Sequence, residues 1–501
     1  MIFRLLTAII GLAPTLSLAE TQDLLRFENG DQLHGDFQGF GEKGVLLWKR
    51  DKPEDEPLKF NPVDIRQVVL KSGKPSRSLA SLAYVGGCNG DRIPGLVREM
   101  DEKKVMIQTD FAGLLEYPRD QVEIIAPNPM GGRVLYYGPF DKGEWTQRNG
   151  RHMGGIPMQK KEEEIEKEFP LWKFSGSAWY WNDDRTGTAL TRETGMSDRS
   201  VLQFDLAWKN RLSIAIGFHS DFTIPKNAKP YQEENVRPNN MANLADQPYI
   251  FGSSYVLHVY SNYVVLYRSG FNEEGVPSME RIQSKNSMLR LSNTGSATFE
   301  IRCNRISGGI FLFVDGQSIC EWSEKNVAPT DEGNPFEGYK GKGAGYGFIA
   351  QMEESPLRVS DVIVAEWNGM PDSARSLDSE DSDIVLLNNG TDRFSGKIKD
   401  MKDGKVNLTG RFGNFSFPMT EIAEIRFAKS QLKSSDDSGP DTFKVRFHPL
   451  GSISGKIVSG DNKNIRLLNT GGGEINVDLD SAGILDFKST QSYLDDWNVE
   501  F

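Results

Sequence analysis

The sequence predicts an all-β chain in which a central two-sheet antiparallel sandwich is flanked by two pairs of small five-stranded barrels. Three observations predict this architecture. One short strand-rich pattern occurs four times, twice on each side of a larger segment. Runs of alternating apolar and polar residues, typical of half-buried strands, fill that larger segment. Glycine is abundant, at 50 of 501 residues, as expected for a chain with many tight turns.

The repeated pattern begins with a strand, a polar turn and a second strand. In the first copy the turn is Asn29-Gly30-Asp31, and both Asn and Gly accept the backbone of a tight hairpin. A further glycine lies inside the second strand of every copy, where it predicts the bend needed to close five strands into a barrel. These glycines are Gly35, Gly95, Gly396 and Gly455.

The acidic residue of the polar turn is a candidate for a ligand or ion contact. It occurs as Asp31, Asp91 and Asp392. The favoured interpretation is turn chemistry, because Asp and Asn side chains hydrogen-bond to nearby backbone in tight turns.

The order of strand, Gly-Asp turn, Gly-containing strand and short closing strands resembles Sm-like and SH3-like small barrels. The closing strand has the form Ile-x-x-Ile, as in Ile422 to Ile425. Sm proteins bind RNA, but the resemblance does not extend to that activity here. The formal net charge is -12 and no basic loop is visible, whereas phosphate binding needs clustered Lys and Arg. No nucleic-acid partner is expected.

The N-terminus has the pattern of a secretory signal peptide. Arg4 supplies the positive charge, residues 5–18 form the apolar core, and Ser17-Leu18-Ala19 fits the small-residue cleavage pattern. We expect cleavage after Ala19 and export to the periplasm, the cell surface or the extracellular space. No later apolar stretch has the length of a membrane-spanning helix, so no membrane insertion is expected after cleavage.

The boundaries of the predicted domains follow the repeats and two polar linkers. They are a signal peptide (1–19), barrel repeats 1 and 2 (20–72 and 80–128), the sandwich (133–369), a linker (370–383), repeat 3 (384–428), a linker (429–441) and repeat 4 (442–490). A repeat of about 45 residues is close to the lower limit for independent folding, so neighbouring copies are expected to pack as pairs.

The strands of the central segment have apolar residues along one face, as in Leu202, Phe204, Leu206 and Trp208. That strand, with the closing Val362 to Trp367 and Gly369, resembles concanavalin A-like lectin/glucanase jelly rolls, especially laminin-G-like domains. The segment is also similar to the related sandwich of 3-keto-disaccharide hydrolase domains. The resemblance implies a jelly-roll sandwich and, by analogy, recognition of a carbohydrate or a protein.

Three cysteines follow the predicted cleavage site: Cys88, Cys303 and Cys320. The last two lie on the outer strands of a predicted three-strand meander, with Cys303 facing Phe313 and Cys320 facing Phe311. That places them about 10 Å apart, beyond the roughly 7 Å that a disulfide spans. Two buried free thiols are predicted.

The sequence assigns no catalytic residue, metal or cofactor. Glucanases of this fold carry a Glu-x-Asp-x-x-Glu arrangement, and no apolar strand here has one. The five histidines have no metal-ligand spacing. His219-Ser220-Asp221, as a catalytic or metal group, and Asn182-Asp183-Asp184, as one edge of a Ca²⁺ site, are interpreted as turn residues instead.

Aromatic residues are the remaining candidates for ligand binding. Trp179-Tyr180-Trp181 places two Trp rings on one strand face and Tyr180 on the other, and a flat ring can stack on a sugar. Tyr231 and Tyr249, on the long loop from Thr223 to Ile250, are possible partners. Packing of these rings in the core is the favoured alternative.

The sequence therefore predicts an exported, non-catalytic binding or scaffold protein, whose sandwich recognises a polysaccharide or an envelope protein. The first alternative is a hydrolase acting on glycosides through an unrecognised carboxylate pair in the sandwich. The second alternative is a structural envelope protein that self-associates through its barrels.

Overall fold

The computed structural model describes most of the chain. The described residues are 22–29, 31–50, 56–73, 75–77, 79, 81–130, 132–149, 165, 169–175, 178–229, 246–284, 288–324, 339–353, 355–367, 369, 379–389, 391–433, 442–447 and 451–487. Strands account for 59% of the structure and helices for 8%, so the prediction of an all-β chain is confirmed. The predicted signal peptide lies outside these ranges and stays a prediction. Within them, no helix combines the length and apolar character needed to cross a bilayer.

The repeated pattern forms four units of short antiparallel strands. Unit 1 contains β1 to β5: Asp23–Phe27, Gln32–Phe40, Leu46–Lys49, Leu58–Phe60 and Ile65–Val69. Unit 2 contains β6 to β11: Tyr84–Gly87, Arg92–Pro94, Leu96–Met100, Lys104–Thr109, Gly113–Pro118 and Val122–Ala126. Strands β12 to β26 belong to the central segment. Unit 3 contains β27 to β31: Asp383–Leu387, Arg393–Lys402, Lys405–Gly410, Gly413–Pro418 and Ile422–Arg426. Unit 4 contains β32 to β36: Phe443–Phe447, Ser452–Asp461, Asn464–Asn469, Gly473–Asp478 and Ala482–Asp486.

The four units share one pairing pattern. In unit 3 the first strand pairs with the second and the last, the second with the third, and the third with the fourth. Units 1 and 4 repeat this pattern, and in unit 2 the second strand is split at Gly95 into β7 and β8. The likeness of these units to closed Sm-like or SH3-like barrels stays a prediction.

The polar turn between the first two strands is held by reciprocal Asn and Asp bonds. The Asn29 side-chain oxygen accepts from the Asp31 backbone N–H, and its amide donates to the Asp31 carboxylate at 2.7 Å. Asn89 with Asp91, and Asn389 with Asp392, make the same two bonds. The favoured interpretation of these acids as turn residues is therefore confirmed by the geometry.

The glycine inside the second strand is required by a close backbone approach. A Cβ on Gly35 would lie 2.3 Å from the carbonyl oxygen of Lys49 on the third strand. The corresponding distances at Gly95, Gly396 and Gly455 are 2.6, 2.3 and 2.8 Å, again to a carbonyl oxygen of the third strand. Any side chain at this position would push two neighbouring strands apart.

The units pair across the sandwich rather than with their sequence neighbours. The last strand of unit 2 pairs antiparallel with that of unit 3, joining Ile125 to Ile425. The last strand of unit 4 pairs in the same way with that of unit 1, joining Leu485 to Val68. The expectation that adjacent copies pack as pairs is wrong. The reason is that each last strand has an edge with unpaired backbone groups. The last strand of any other unit can pair with that edge, whatever its position in the sequence.

A buried ion pair reinforces the junction of units 2 and 3. Arg119 donates to the Asp383 carboxylate at 3.1 Å, and both side chains are almost fully excluded from water. Asp383 also accepts from the backbone N–H groups of Ile398 and Ala428. This carboxylate therefore links three segments of unit 3 and one of unit 2.

The central segment forms the sandwich. Its strands β12 to β26 are Val134–Gly138, Thr146–Asn149, Lys173–Ser175, Ala178–Trp181, Thr188–Arg192, Arg199–Trp208, Ser213–Ser220, Ser254–Tyr260, Val264–Phe271, Pro277–Ile282, Gly295–Asn304, Gly309–Val314, Gln317–Ser323, Gly345–Ala350 and Leu357–Glu366. A short helix, α1, covers Gln247–Phe251.

Two antiparallel sheets face each other across one apolar core. The back sheet has the order β14-β15-β26-β17-β22-β23-β24, with β12 also paired to β26, and the front sheet has the order β13-β16-β25-β18-β19-β20-β21. Phe204 of the back sheet stacks on its neighbour Phe299 and meets Phe348 of the front sheet at a ring distance of 4.9 Å. The predicted two-sheet sandwich is confirmed.

The predicted three-strand meander is present as β22 to β24, with Cys303 and Cys320 on its outer strands. Both thiols are buried and Cys88 is half-buried, and none of the three forms a disulfide in the described part of the chain. The register differs from the prediction, since Cys303 pairs with Ile310 and Cys320 with Leu312. Turn length and a bulge after Leu312 set that register, and neither can be read from alternation alone.

The outward face of the back sheet is covered by the chain that leads out of unit 2. Met130 packs with Val201, Ile363 and Trp367, and Leu82 of unit 2 lies against this cluster. The outward face of the front sheet is therefore the face of the sandwich turned away from this contact.

Replacing Gly35 by Ala tests the close strand approach. Because the added methyl group would meet the Lys49 carbonyl, we expect the free energy of unfolding to fall by about 1–3 kcal/mol. Gly41→Ala is the matched control in the same unit, since its added Cβ meets no atom nearer than 3.5 Å. Denaturant unfolding measures both, and equal effects of the two changes would contradict the explanation.

Replacing Arg119 by Met tests the buried ion pair. The change leaves a buried carboxylate without its cation, so we expect a loss of about 3–5 kcal/mol in unfolding free energy. Lys397→Met is the matched control, because it removes an exposed ion pair with Glu102 between the same two units and should cost about 0–1 kcal/mol. A small effect of Arg119→Met would show that the pair does not stabilise the junction.

Candidate functional site

Strand alternation places polar side chains of β19 at the outward face of the front sheet. Leu257 and Val259 are part of the core between the sheets, so His258 and Tyr260 point to the outer face. By the same alternation, Ser213 of β18 and Tyr267 of β20 lie on that face, and Ser213 is the register partner of Tyr260.

The middle of this face is covered by the segment between β18 and β19. The Phe251 ring of α1 occupies the space above Gly217, where a Cβ would lie 2.4 Å from the ring. The Phe222 ring covers Gly345 in the same way, 2.1 Å from the position that a Cβ would take. Small residues on the sheet thus make room for aromatic rings of the loop, and His258 lies at the border of this cover.

His258 is held between two glutamine side chains. Its Nε2 is 2.9 Å from the Gln247 side-chain oxygen, and the Gln351 amide nitrogen is 3.0 Å from its Nδ1. These partners assign the tautomer in which Nε2–H donates to Gln247 and Nδ1 accepts from Gln351. Burial lowers the pKa of His258 to about 3, so the ring is neutral at ordinary pH.

The two glutamines each keep one polar atom without a partner. In the described part of the chain, the Gln247 amide nitrogen and the Gln351 carbonyl oxygen are buried and make no hydrogen bond. The Ser213 hydroxyl is likewise buried and unpartnered. An unpaired buried polar atom costs about 1–3 kcal/mol, so these groups favour binding a further polar molecule. We call Ser213, Gln247, His258, Tyr260, Tyr267 and Gln351 the His258 cluster.

Tyrosine rings form the rim of the His258 cluster. The Tyr267 ring lies 4.9 Å from the His258 ring, and the Tyr260 ring stacks on Tyr263 at 4.5 Å. Tyr263 is 41% exposed, and Tyr260 and Tyr267 are half-buried. The rim therefore presents a flat aromatic surface to water beside a polar interior.

Two of the ligand-binding residues predicted from the sequence lie in the core. Trp179 and Trp181 are 1% and 0% exposed, with Trp181 packed on Trp172 and Trp179 packed on Phe174. Neither ring is accessible for stacking on a sugar without unpacking the sandwich. This placement corresponds to the favoured alternative of core packing.

The other three predicted residues lie apart from those tryptophans. Tyr180 is half-buried on the outer side of the back sheet. Tyr249 is a buried residue of α1, and its hydroxyl donates to the Lys229 carbonyl. Tyr231 lies outside the described residues. Among the predicted residues that the structure describes, Tyr249 is adjacent in sequence to the His258 cluster, two residues after Gln247.

Of the remaining polar candidates, His219 and Asp183 are engaged within the protein, whereas the buried Ser220 hydroxyl makes no hydrogen bond in the described part of the chain. His219 is buried, with Tyr339 Oη 2.7 Å from Nδ1 and the Ser197 carbonyl 3.0 Å from Nε2. Asp183 accepts from the backbone and the guanidinium of Arg185. Throughout the described ranges, no group of three or more His, Cys, Asp or Glu residues is arranged to hold a metal ion.

Two carboxylates lie near each other on the outer side of the back sheet. Asp205 of β17 accepts from the Thr298 hydroxyl at 2.6 Å. Asp361 occupies a bulge of β26 with a φ of 50°. Burial and then the charge of Asp361 raise the pKa of Asp205 to about 7, against the opposing charges of Arg358 and of Arg92 from unit 2.

Sequence reasoning did not find the His258 cluster. Its residues come from five segments, of which Gln247 lies on a loop helix and Gln351 beyond the end of β25. One signal was present: His258 interrupts a run of large apolar residues in β19, where a polar side chain must find partners.

The geometry defines a class of protein, an antiparallel two-sheet sandwich inserted into a platform of four small β units.

No family model matches the sequence, and no curated protein matches it. Among solved structures, a carbohydrate binding module CBM66 from Bacillus subtilis is 10% identical, with 40% of this chain and 92% of that chain covered and a TM-score of 0.23. Beta-agarase A from Zobellia galactanivorans is 8% identical, covering 48% and 93% with a TM-score of 0.30. The Emp46p carbohydrate recognition domain is 10% identical, covering 48% and 99% with a TM-score of 0.28. Scores this low have no bearing on function.

Replacing Asp205 by Asn tests the carboxylate pair through its pH dependence. An unfolded Asp has a pKa of about 3.9, so between about pH 4 and 7 the folded chain holds a proton that the unfolded chain has lost. Stability contributed by this group is therefore lost as pH rises through that window. The variant, which is always neutral, should unfold at a higher temperature than the parent at pH 8, and this gain should vanish near pH 4.

Asp361→Asn is the matched change, because Asn also tolerates a positive φ. Asp361→Asn should also raise the unfolding temperature at pH 8. The variant with both Asp205→Asn and Asp361→Asn should show a smaller rise than the sum of the two single rises. A gain for Asp205→Asn that does not vary with pH would contradict the assignment of a raised pKa.

Proposed function

We propose that the sandwich binds a neutral, hydroxyl-rich carbohydrate at the His258 cluster. The observation that carries this proposal is the unpartnered donor of Gln247 and the unpartnered acceptor of Gln351 on either side of a neutral imidazole. A sugar hydroxyl both donates and accepts, so one hydroxyl can satisfy each of these atoms. The Tyr260 and Tyr263 rings supply the apolar surface on which a sugar ring stacks.

The electrostatics of the cluster favour an uncharged ligand. Burial lowers the pKa of His258, and no charged group of the described residues contributes to that shift. In the described part of the chain, the side chains that contact His258 are amides and phenols, without a carboxylate. Hydrolysis of a glycoside usually needs two carboxylates, so this cluster has the composition of a binding site.

The protein is accordingly proposed to be an exported binding protein whose four β units carry the sandwich. Because the amides of Gln247 and Gln351 are buried, we expect ligand binding to require rotation of the half-buried rings of Tyr260 and Tyr267. The proposed recognition site differs from the sequence-predicted one in its residues, since Gln247, His258 and Gln351 replace the tryptophans of β15.

A glycan array of neutral, sulfated and uronic-acid oligosaccharides, probed with the chain lacking residues 1–19, tests the proposal. We expect binding to neutral members, and titration of the best one should show affinity about 10-fold to 100-fold weaker for Gln351→Leu and Tyr263→Ala, from one lost hydrogen bond or stacking contact. Tyr180→Ala, on the opposite sheet, is the control and should bind as the parent does.

Three results would contradict the proposal. They are no binding to any neutral glycan, binding that both front-sheet variants leave unchanged, and equal loss in the Tyr180→Ala control. Thermal unfolding of each variant separates loss of the site from loss of the fold.

The carboxylate pair supports a second candidate function, hydrolysis of a glycosidic bond. Its supporting observation is the raised pKa of Asp205 beside Asp361, since such a pair can divide the roles of acid and base. The test is release of reducing sugar from the best ligand of the array. Release that Asp205→Asn abolishes and Gln351→Leu does not would favour hydrolysis over simple binding.

A further inference from the structure

In the described part of the chain, units 2 and 4 bury a face that is exposed on unit 3 and half-buried on unit 1. In the contact between units 2 and 4, the hairpin of the third and fourth strands of each unit packs against the other unit. The Phe111 ring at the tip of the unit 2 hairpin stacks on Phe447 of unit 4 at 4.1 Å. At the tip of the unit 4 hairpin, Gly471 and Gly472 lie against the ring of Tyr117.

Polar bonds fix the same contact. The Tyr117 hydroxyl donates to the Asn469 side-chain oxygen at 2.8 Å. Asp91 accepts from Ser454 at 2.6 Å and from Asn469 at 3.0 Å, and all of these groups are buried. The contact is therefore a packed interface between two copies of one structural unit, which shows that this face of the unit can pair with another copy.

The corresponding face of unit 3 is apolar and exposed. Phe412, at the tip of the equivalent hairpin, is 87% exposed. Beneath it, Phe394 and Phe415 are half-buried and lie 5.1 Å apart. Their counterparts in unit 2, Ile93 and Leu115, are 0% and 8% exposed.

Unit 1 carries the matching half of such a contact. Phe27 occupies the place of Phe447 at the end of the first strand, and its ring packs on Phe60 at 5.1 Å while both remain half-buried. The net formal charge is -3 over residues 20–72, from 11 acidic and 8 basic residues, and +1 over residues 383–428, from 7 basic and 6 acidic residues. Units 1 and 3 are therefore complementary in charge.

We infer that unit 3 of one chain docks on unit 1 of a second copy, with Phe412 stacked against Phe27 as Phe111 is stacked against Phe447. The occupant is a second copy because the chain already contains this interface once, between units of the same kind. Units 1 and 3 belong to different strand pairs, so the contact extends the platform without disturbing the last-strand pairing. The inference is independent of carbohydrate binding.

Sedimentation velocity of the chain without residues 1–19, from about 1 μM to about 200 μM, tests the inference. We expect the mass to rise with concentration, and Phe412→Ser to weaken self-association by at least about tenfold, as expected for an aromatic residue at the centre of an interface. Arg411→Glu, which reverses a charge beside Phe412, should also weaken it.

Ile306→Ser is the control, since Ile306 is 67% exposed on a turn of the sandwich, and it should leave self-association unchanged. A chain that stays monomeric at every concentration would overturn the inference. So would an oligomer that Phe412→Ser leaves intact, or one that Ile306→Ser disrupts equally. Because Phe412 is exposed, unchanged thermal unfolding of the variant separates lost docking from lost folding.

Discussion

The antiparallel pairing of last strands holds the two units before the sandwich to the two units after it. Unit 1 reaches unit 4 through β5 and β36, and unit 2 reaches unit 3 through β11 and β31. More than two hundred residues of sandwich separate the partners in the second pair, so forming this contact closes a very long loop at a modest entropy cost. The sandwich is consequently an insertion whose entry and exit are fixed by the platform, and its back sheet is held against the chain that leaves unit 2.

The platform shows how one short pattern can serve two roles. Units 1 and 3 share an acid at the start of the first strand, the half-buried Asp23 and the buried Asp383, each accepting backbone N–H groups from two segments of its own unit. Burial raises the pKa of Asp23, and its backbone bonds act in the opposite direction. Units 2 and 4 lack this acid and instead pack on each other. The chain is thus arranged as a duplicated pair, with the second unit of each pair at the centre.

Sequence patterns predicted the strands, the Asn-Asp turns and the glycine positions because these depend on neighbours along the chain. They also placed Cys303 and Cys320 on the outer strands of a meander, but with the wrong register, since a bulge after Leu312 shifts the pairing. The candidate site was not predicted. Trp179 and Trp181 had the right residue type for sugar stacking, yet they lie in the core because β15 presents that face to the front sheet.

The sequence by itself determined the all-β class, the four copies and the tight turns, because hydrophobic alternation and glycine placement act locally. Tertiary structure alone decided which copies pair, since every last strand offers an equivalent edge and only packing selects the partner. Tertiary structure also determined which residues form the candidate binding site. His258 becomes a neutral, partly satisfied centre only when Gln247 from a loop helix and Gln351 from beyond β25 reach it, and the bond between Gln351 and His258 joins residues 93 positions apart.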